Sequence, residues 1–360
     1  MKILHLAPEW KWSKIFIMPI VKAQIDSGDE VWLSTPNSEL DGNDFYNHLN
    51  VVKWNKKYSD VLKYLLSILK VIMMVKRFNI KHIYAHTTVD SALYILMVRV
   101  FTSANITYIN HGVPYIGYSG LMKVFLLIAE FINVNFSHKV ITITESMKPY
   151  LIDINKTKKE IEVFEPGTLV GVYLPFLDYI ALKEARSQFK LSNINSILRV
   201  IYVGRLEYRK GIYDLIEAIN STNFDCELMI LGGESKDIDV SFDSSKVRFL
   251  GFQSDLSQYY LQADFLCVPS HHEGFGQVYL EAASYGVIPI CCNIPGPTDF
   301  IEDGKNGFVV ECQSPQSILS LFNGIYNNQF NLSTIRKNAF DSVLKYNASV
   351  VIKNNMELLK

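Results

Sequence analysis

The sequence predicts an α/β protein built as two successive doubly wound domains. Two observations carry this. Short β-branched and apolar runs alternate with longer stretches of helical periodicity from one end of the chain to the other. The alternation breaks once, at Glu165-Pro166-Gly167, and then resumes. A chain of 360 residues that is 49% hydrophobic has enough apolar material for two cores.

In the first series, strands are expected at Ile3 to Ala7, Glu30 to Ser34, Lys81 to Tyr84, Ile106 to Asn110, Lys139 to Ile143 and Ile161 to Phe164. Helices are expected at Phe16 to Ser27, ending at Gly28, then at Asp60 to Phe78, Val89 to Phe101, Leu121 to Asn135 and Ser146 to Ile152. Glu9 to Trp12 reads as the loop after the first strand. Past the break, a helix over Tyr179 to Lys190 leads into strands at Leu198 to Val203, Glu227 to Leu231, Val247 to Leu250, Phe265 to Val268 and Val287 to Cys292. A helix is expected from Lys210 to Ile219 and another from Gln277. The domains are set at 1–167 and 168–340, with a C-terminal helix in 341–360 packing back on the first.

Ligands of doubly wound sheets bind at the carboxyl ends of strands. The polar breaks found there are His111-Gly112, Gly204-Arg205, Gly232-Gly233 and His271 to Gly276. The last is the most informative. Glu273 and Glu281 stand eight positions apart around Gly274-Phe275-Gly276, between two buried-strand patterns. Glycines let main-chain N–H groups approach a ligand, and a helix start at Gln277 adds a dipole that favours phosphate. Arg205 and Lys210 offer a planar fork and a point cation to a diphosphate.

Composition excludes several classes. Formal net charge is −1, so no global field of the nucleic-acid-binding kind exists. Residues 1–165 carry 19 Lys/Arg against 15 Asp/Glu, and Lys53 to Lys81 holds eight basic residues and one acid, Asp60. The five cysteines, Cys226, Cys267, Cys291, Cys292 and Cys312, are odd in number and have no CxxC spacing, which fits a reducing compartment, and three of them sit in or beside apolar strand-like runs and read as small core residues. The N-terminus reads as a first strand, and no apolar run is long enough to span a bilayer. Neither Ala7-Pro8-Glu9 nor Gly204-Arg205 supplies the G-x-G-x-x-G of a dinucleotide oxidoreductase. His271 and His272 lack zinc-type partners, so at least one is expected to be a hydrogen-bonded loop residue. Asp237-Ile238-Asp239 mimics a metal-binding Asp-x-Asp but sits in a polar loop.

Val203-Gly204-Arg205-Leu206 with Lys210-Gly211, then Pro269-Ser270, Glu273-Gly274-Phe275-Gly276 and Glu281-Ala282, then Gly304, Asn306-Gly307 and Phe308, together resemble the donor half of the retaining glycosyltransferases of family 4, the glycosyl transferases group 1. Residues 198–312 carry the likeness. Asn110-His111-Gly112-Val113-Pro114 extends it weakly to the first half. The family often has Gly-Gly after its first strand and Pro-Asn-Gly at its linker, where this chain has Glu9-Trp10-Lys11-Trp12 and Glu165-Pro166-Gly167.

The resemblance implies the GT-B fold, two Rossmann-like domains with an interdomain cleft, and a nucleotide-sugar donor, by default a UDP-sugar. It implies catalytic roles for His111, Arg205, Lys210 and Glu273, with His111 beside the anomeric carbon and Glu273 on a hydroxyl of the transferred sugar. Donor contacts would come from Gly204, Gly274, Phe275, Gly276, Gln277, Val278 and Glu281, the last on the ribose hydroxyls. No metal or other cofactor is expected. With no further carboxylate placed as a nucleophile, retention by same-face attack through an ion pair is favoured. A nucleotide-sugar epimerase would need a further acid/base pair near the sugar. A non-catalytic nucleotide-sugar binder would lack Glu273.

Over Asp60 to Phe78, the residues Leu62, Leu65, Leu66, Leu69, Ile72 and Met73 share one helical face, and burial in the core is expected for most of them. The basic excess of 53–81 suits an anionic membrane surface. The acceptor is therefore expected to be a lipid-linked glycan, such as a polyprenyl-diphosphate sugar, met by a peripheral protein at the cytoplasmic face.

Overall fold

The computed structural model describes residues 1–7, 10–36, 50–54, 61–189 and 197–359. The chain folds as two compact units. Unit 1 is Met1–Val170 with Ser349–Lys360, and unit 2 is Gly171–Ala348.

Unit 1 is a seven-stranded, wholly parallel sheet. Its strands are β1 (Lys2–Leu6), β2 (Glu30–Pro36), β3 (Asn50–Trp54), β4 (His82–Ala85), β5 (Asn105–Asn110), β6 (Lys139–Thr142) and β7 (Ile161–Val163), in the order β3-β2-β1-β4-β5-β6-β7. The order reverses after β3, which is the doubly wound pattern and puts β1 beside β4. Among the described residues six helices connect them: α1 (Trp10–Phe16), α2 (Met18–Asp26), α3 (Val61–Phe78), α4 (Thr88–Phe101), α5 (Gly120–Phe136) and α6 (Lys148–Ile154). The strands between these layers are buried on both faces, with Leu4, Leu33, Ile83, Ile106 and Val140 all at 2% exposure or less. Both faces covered is what a parallel sheet requires.

Three expectations change here. Trp10 to Trp12 begin a helix rather than a loop, and because that helix runs to Phe16, the helix expected from Phe16 to Ser27 starts at Met18 instead. The break falls at Ile17, because Pro19 in the first turn of α2 has no N–H to continue the ladder of α1. Strand β3 was not anticipated. On α3 the inner face is Ile68, Val71, Ile72 and Val75, while Leu65, Leu66, Leu69 and Met73 are 42–61% exposed. The helix is apolar nearly all round, so periodicity alone chose the wrong face. Glu9, Asp60, Lys56, Lys57 and Lys190 lie outside the described residues, as do the side chains of Lys53, Leu62 and Lys63.

The chain returns to unit 1 in its last helix. Tyr84 Oη donates to the Leu359 carbonyl, Lys139 Nζ to that of Leu358 at 2.8 Å, and Asn355 Nδ2 to those of Thr168 and Leu169, each at 2.8 Å. These side chains satisfy main-chain carbonyls that would otherwise lack partners at a buried seam.

Unit 2 opens with α7 (Tyr179–Phe189). Its six parallel strands are β8 (Leu198–Val203), β9 (Cys226–Leu231), β10 (Val247–Phe249), β11 (Phe265–Val268), β12 (Ile288–Cys292) and β13 (Phe308–Val310), in the order β10-β9-β8-β11-β12-β13. Between and after them come α8 (Ile212–Asn220), α9 (Ser257–Gln262), α10 (Gln277–Ser284), α11 (Pro297–Phe300), α12 (Pro315–Tyr326) and α13 (Leu332–Val343), and α14 (Ala348–Leu358) is the last helix, which belongs almost wholly to unit 1. The order switches between β8 and β11, so the loops after those two strands flank the crevice where such sheets take ligands.

At the opposite strand ends, buried Arg186 ties α7 to the sheet. It donates to the carbonyls of Tyr260, Ala263 and Tyr285 at 2.7–3.2 Å and pairs with Asp264. Its five donors match this set of acceptors, and the cluster holds the C-terminal ends of α9 and α10 together.

Candidate active site

The unit 2 site grows from the loops after β8 and β11. After β8 the chain turns through Gly204 and Arg205, whose carbonyl accepts from Tyr202 Oη at 2.7 Å, and then makes a 3-10 turn over Tyr208–Lys210. Lys210 therefore stands in this turn, with the helix beginning at Ile212. Gly211 permits the approach of the two loops. It has φ +69°, and a Cβ there would lie 2.0 Å from the Pro269 carbonyl oxygen. The His271 N–H donating to the Arg209 carbonyl at 2.8 Å closes the same approach.

This brings Lys210 onto Glu273. Its Nζ pairs with Glu273 Oε2, with both side chains largely buried at 22% and 17% exposure. Ser270 Oγ donates to the same oxygen at 3.3 Å, and the Gly274 N–H to Oε1 at 3.2 Å. Burial pushes the Glu273 carboxyl up, but Lys210, with help from the Gly274 N–H and His272, more than offsets it and holds it below the usual carboxylate range. Glu273 is thus an anion at neutral pH with one dominant cation.

Gly276 is the N-cap of α10 at φ +84°, and a Cβ there would lie 2.4 Å from the Tyr279 ring. That ring is fixed by its hydroxyl, which donates to the Val268 carbonyl at 2.6 Å. The start of α10 is thereby locked against the end of β11; the Tyr279 N–H donates to the Gly276 carbonyl at 3.0 Å, while the N–H groups of Gln277 and Val278 come before the first bond of the helix. Phe275 packs its ring with Phe300 and Tyr346, so only its main chain is available to a ligand. The Gln277 side chain donates to the Gly171 carbonyl, which likewise leaves its main chain. Val278 is half-buried in the same turn.

Glu281 lies on the second turn of α10, near the Tyr260 hydroxyl at 3.4 Å. Burial raises its carboxyl to about 7. Arg205 is exposed and pairs with Glu207 at 2.6 Å. His271 is fixed structurally: Nε2 lies 2.7 Å from Asp214 Oδ2, and its ring meets Tyr208 edge-on. Asp237 caps its own turn by accepting from the Glu234 N–H at 2.8 Å, which accounts for that part of the Asp-x-Asp pattern.

In unit 1, His111 follows β5. The loop bearing it is pinned from beneath, where Asn110 Nδ2 donates to the Gly112 carbonyl and to Glu130 Oε1, each at 2.8 Å. Glu130 is wholly buried and also accepts from Tyr108 Oη. Burial raises it to about 7, against the lowering by these hydrogen bonds. Sequence reading missed Glu130, Tyr260 and Asp214 because their partners lie on other elements, and it quoted Ser270 in the motif without a role. It also missed His5 and His86, each at the end of a strand adjoining the next. Histidines recurring at strand ends were the available signal.

The residues 185–341 match the model of the glycosyl transferases group 1, and residues 2–146 match that of the glycosyl transferase 4-like domain. The chain belongs to the group 1 glycosyltransferases. Among curated relatives, it is 29% identical over 231 residues to the capsular polysaccharide biosynthesis glycosyltransferase CapM of Staphylococcus aureus, a match covering 61% of this chain and 60% of that one. It is 20% identical over 360 residues to the N,N'-diacetylbacillosaminyl-diphospho-undecaprenol alpha-1,3-N-acetylgalactosaminyltransferase of Campylobacter jejuni, covering 95% of this chain and 94% of that one. It also matches a glycogen synthase of Thermodesulfovibrio yellowstonii, at 33% identity, over only 41% of this chain and 33% of that enzyme. Among solved structures, HepE of Anabaena in complex with UDP-glucose aligns with a TM-score of 0.76 at 19% identity, covering 100% of this chain and 99% of that one. The sucrose-phosphate synthase of Thermosynechococcus elongatus aligns with a TM-score of 0.78 at 17% identity, covering 99% and 98%. These likenesses identify the fold as GT-B.

Proposed function

We propose that this group 1 glycosyltransferase moves a sugar from a UDP-sugar to a hydroxyl of a lipid-linked glycan, with retention at the anomeric carbon. The observation that carries the donor side is the convergence of Lys210, Glu273 and the start of α10 at the strand ends flanking the switch point. Arg205 and Lys210 take the diphosphate in place of a metal ion. The first-turn N–H groups of α10 add to them, and Glu281 accepts from the ribose hydroxyls. Glu273 holds a hydroxyl of the transferred sugar.

In the reaction the bond from the anomeric carbon to the phosphate oxygen breaks, and its electron pair leaves with UDP. The acceptor oxygen attacks the same face through an ion pair, and its proton passes to the leaving phosphate. Negative charge on that phosphate grows as the bond breaks, so Arg205 and Lys210 bind the transition state more tightly than the ground state. His111 serves the sugar as its positive charge develops. Support for UDP comes from HepE of Anabaena, solved with UDP and UDP-glucose. Support for a polyprenyl-diphosphate acceptor comes from the name of the Campylobacter jejuni relative.

We further propose that unit 1 meets its acceptor at an anionic membrane on the cytoplasmic side. No helix among the described residues is long and apolar enough to cross a membrane. Yet α5 exposes Leu121, Met122, Val124, Phe125 and Ile128 at 51–89%, and α3 exposes Leu65, Leu66, Leu69 and Met73 beside Lys70, Lys76 and Arg77. Apolar side chains flanked by cations suit insertion among anionic headgroups, each nearby cation adding about 1 kcal/mol.

Nucleotide release from UDP-, GDP- and dTDP-sugars, with and without polyprenyl-diphosphate sugars, tests the activity. Acceptor-dependent UDP release is expected. Release from none of them, by a folded protein, removes the transferase reading.

A further inference from the structure

Three histidines stand in a row across the centre of the unit 1 sheet. His5 is in β1, His86 follows β4 and His111 follows β5, and these three strands are neighbours in the sheet. Gln24 of α2 starts the row, its Oε1 2.8 Å from His5 Nε2. His5 Nδ1 lies 2.9 Å from His86 Nε2, and His86 Nδ1 lies 3.2 Å from His111 Nε2. Gln24, His5 and His86 are at most 1% exposed, whereas His111 is half-buried.

The chemistry of the groups fixes the protons. A carbonyl oxygen only accepts, and a neutral imidazole has one donor and one acceptor nitrogen. Gln24 Oε1 therefore requires the proton of His5 on Nε2, which makes His5 Nδ1 an acceptor. His86 must then donate from Nε2, and His111 in turn from Nε2. In this arrangement a second proton on His5 or on His86 would set two N–H groups against each other. Burial also lowers His5 to about 4 and His111 to about 3, and His86 well below its ordinary value, where the neighbouring rings add to the effect. The three ring dipoles then point the same way, with the acceptor Nδ1 of His111 as the negative end. Aligned hydrogen bonds in a low-dielectric interior polarise one another.

We propose that Gln24, His5 and His86 are positioning residues that hold His111 as its Nε2–H tautomer, so that it offers an acceptor nitrogen, at the head of an aligned row, to the positive charge developing on the transferred sugar. This rests on the transferase reading for the identity of that charge, but the proton arrangement does not depend on it. Neither Gln24 nor His86 touches substrate; both act through His111.

Long-range proton–nitrogen correlation NMR of the full chain labelled with 15N-histidine reads the tautomers directly. His5→Gln, His86→Gln and His111→Gln serve to assign the signals. The expected result at neutral pH is Nε2–H for all three rings. An Nδ1–H form at any of them overturns the proposal and leaves the transferase reading standing. In Gln24→Met the terminal acceptor is gone. His111 should then populate Nδ1–H, and kcat should fall about tenfold with the donor KM unchanged, while Gln24→Glu, which keeps an acceptor, restores the wild-type tautomer and rate. A changed tautomer at unchanged kcat refutes the catalytic use of the row. Should Gln24→Met fail to fold, the wild-type spectrum still decides. Absence of transfer alongside the expected spectrum counts against the transferase reading alone.

Discussion

Replacing Lys210 with methionine keeps the aliphatic stem and removes the charge. It leaves Glu273 in place with only Ser270 Oγ and the Gly274 N–H as neutral donors, at 3.3 and 3.2 Å. Breaking a fully buried ion pair costs about 3–5 kcal/mol, and breaking an exposed one about 0–1 kcal/mol. At 22% and 17% exposure this pair sits between them, so a loss of about 2 kcal/mol is expected at pH 7.5. The pH dependence is more diagnostic. In the wild type, Glu273 is depressed below 4.5, so its contribution is present above pH 4.5 and is lost as pH falls through the depressed value. In Lys210→Met the upward push of burial is no longer offset, the carboxyl rises above 4.5, and stability falls as pH climbs past that point. The difference between the proteins should therefore shrink toward acid and widen toward neutrality. Urea unfolding from pH 4 to 7.5 measures it. Lys210→Met/Glu273→Gln should recover most of the stability at pH 7.5 and none of the activity. A penalty that is constant with pH, or absent, refutes the claim that Lys210 compensates Glu273.

Glu281 behaves in the opposite sense. Its carboxyl is raised from 4.5 to about 7, so ionising it makes stability fall as pH rises from 4.5 to 7, and Glu281→Gln should be about 3 kcal/mol more stable than wild type at pH 8 and equal to it below pH 4.5. Glu130 titrates over the same range in both proteins, so the comparison isolates Glu281. Gly276→Ala should lose about 1–3 kcal/mol and weaken UDP binding, since its Cβ meets the anchored Tyr279 ring at a left-handed backbone position; thermal melts with and without UDP read both. Glu273→Gln, folded as judged by its melt, should lower turnover by about 10²–10³. Leu121→Glu/Phe125→Glu should abolish flotation with anionic vesicles, while wild type binds at low salt and less at high salt; equal flotation of both proteins removes α5 from the membrane surface.

The unit 2 loops were legible because their chemistry is local. The spacing from Arg205 to Lys210, and from Glu273 through Gly276 to Glu281, places residues at strand ends and on a helix turn whatever surrounds them. Leu198–Val203 and Phe265–Val268 were likewise readable as short apolar runs ending at glycine or proline. What failed depended on neighbours distant in sequence. The inner face of α3 is chosen by α4 and the sheet, and a helix apolar on most sides does not reveal that choice. The break at Ile17 was written in Pro19 but hidden by the continuous apolar pattern around it. Strand β3 is five residues with only Val51 and Val52 as β-branched signals. Hydrogen bonds such as Ser270 with Glu273 or Tyr260 with Glu281 depend on side-chain direction after folding, and the row from Gln24 to His111 depends on the order of strands in the sheet.

Calorimetric titration of UDP into the wild type, Lys210→Met and Glu281→Gln tests the central claim, that the strand ends around β8 and β11 hold the donor nucleotide. Saturable binding by the wild type is expected, weakened about tenfold or more in each variant by loss of a diphosphate contact or a ribose contact. Equal affinity in all three proteins, each shown to be folded, would contradict it.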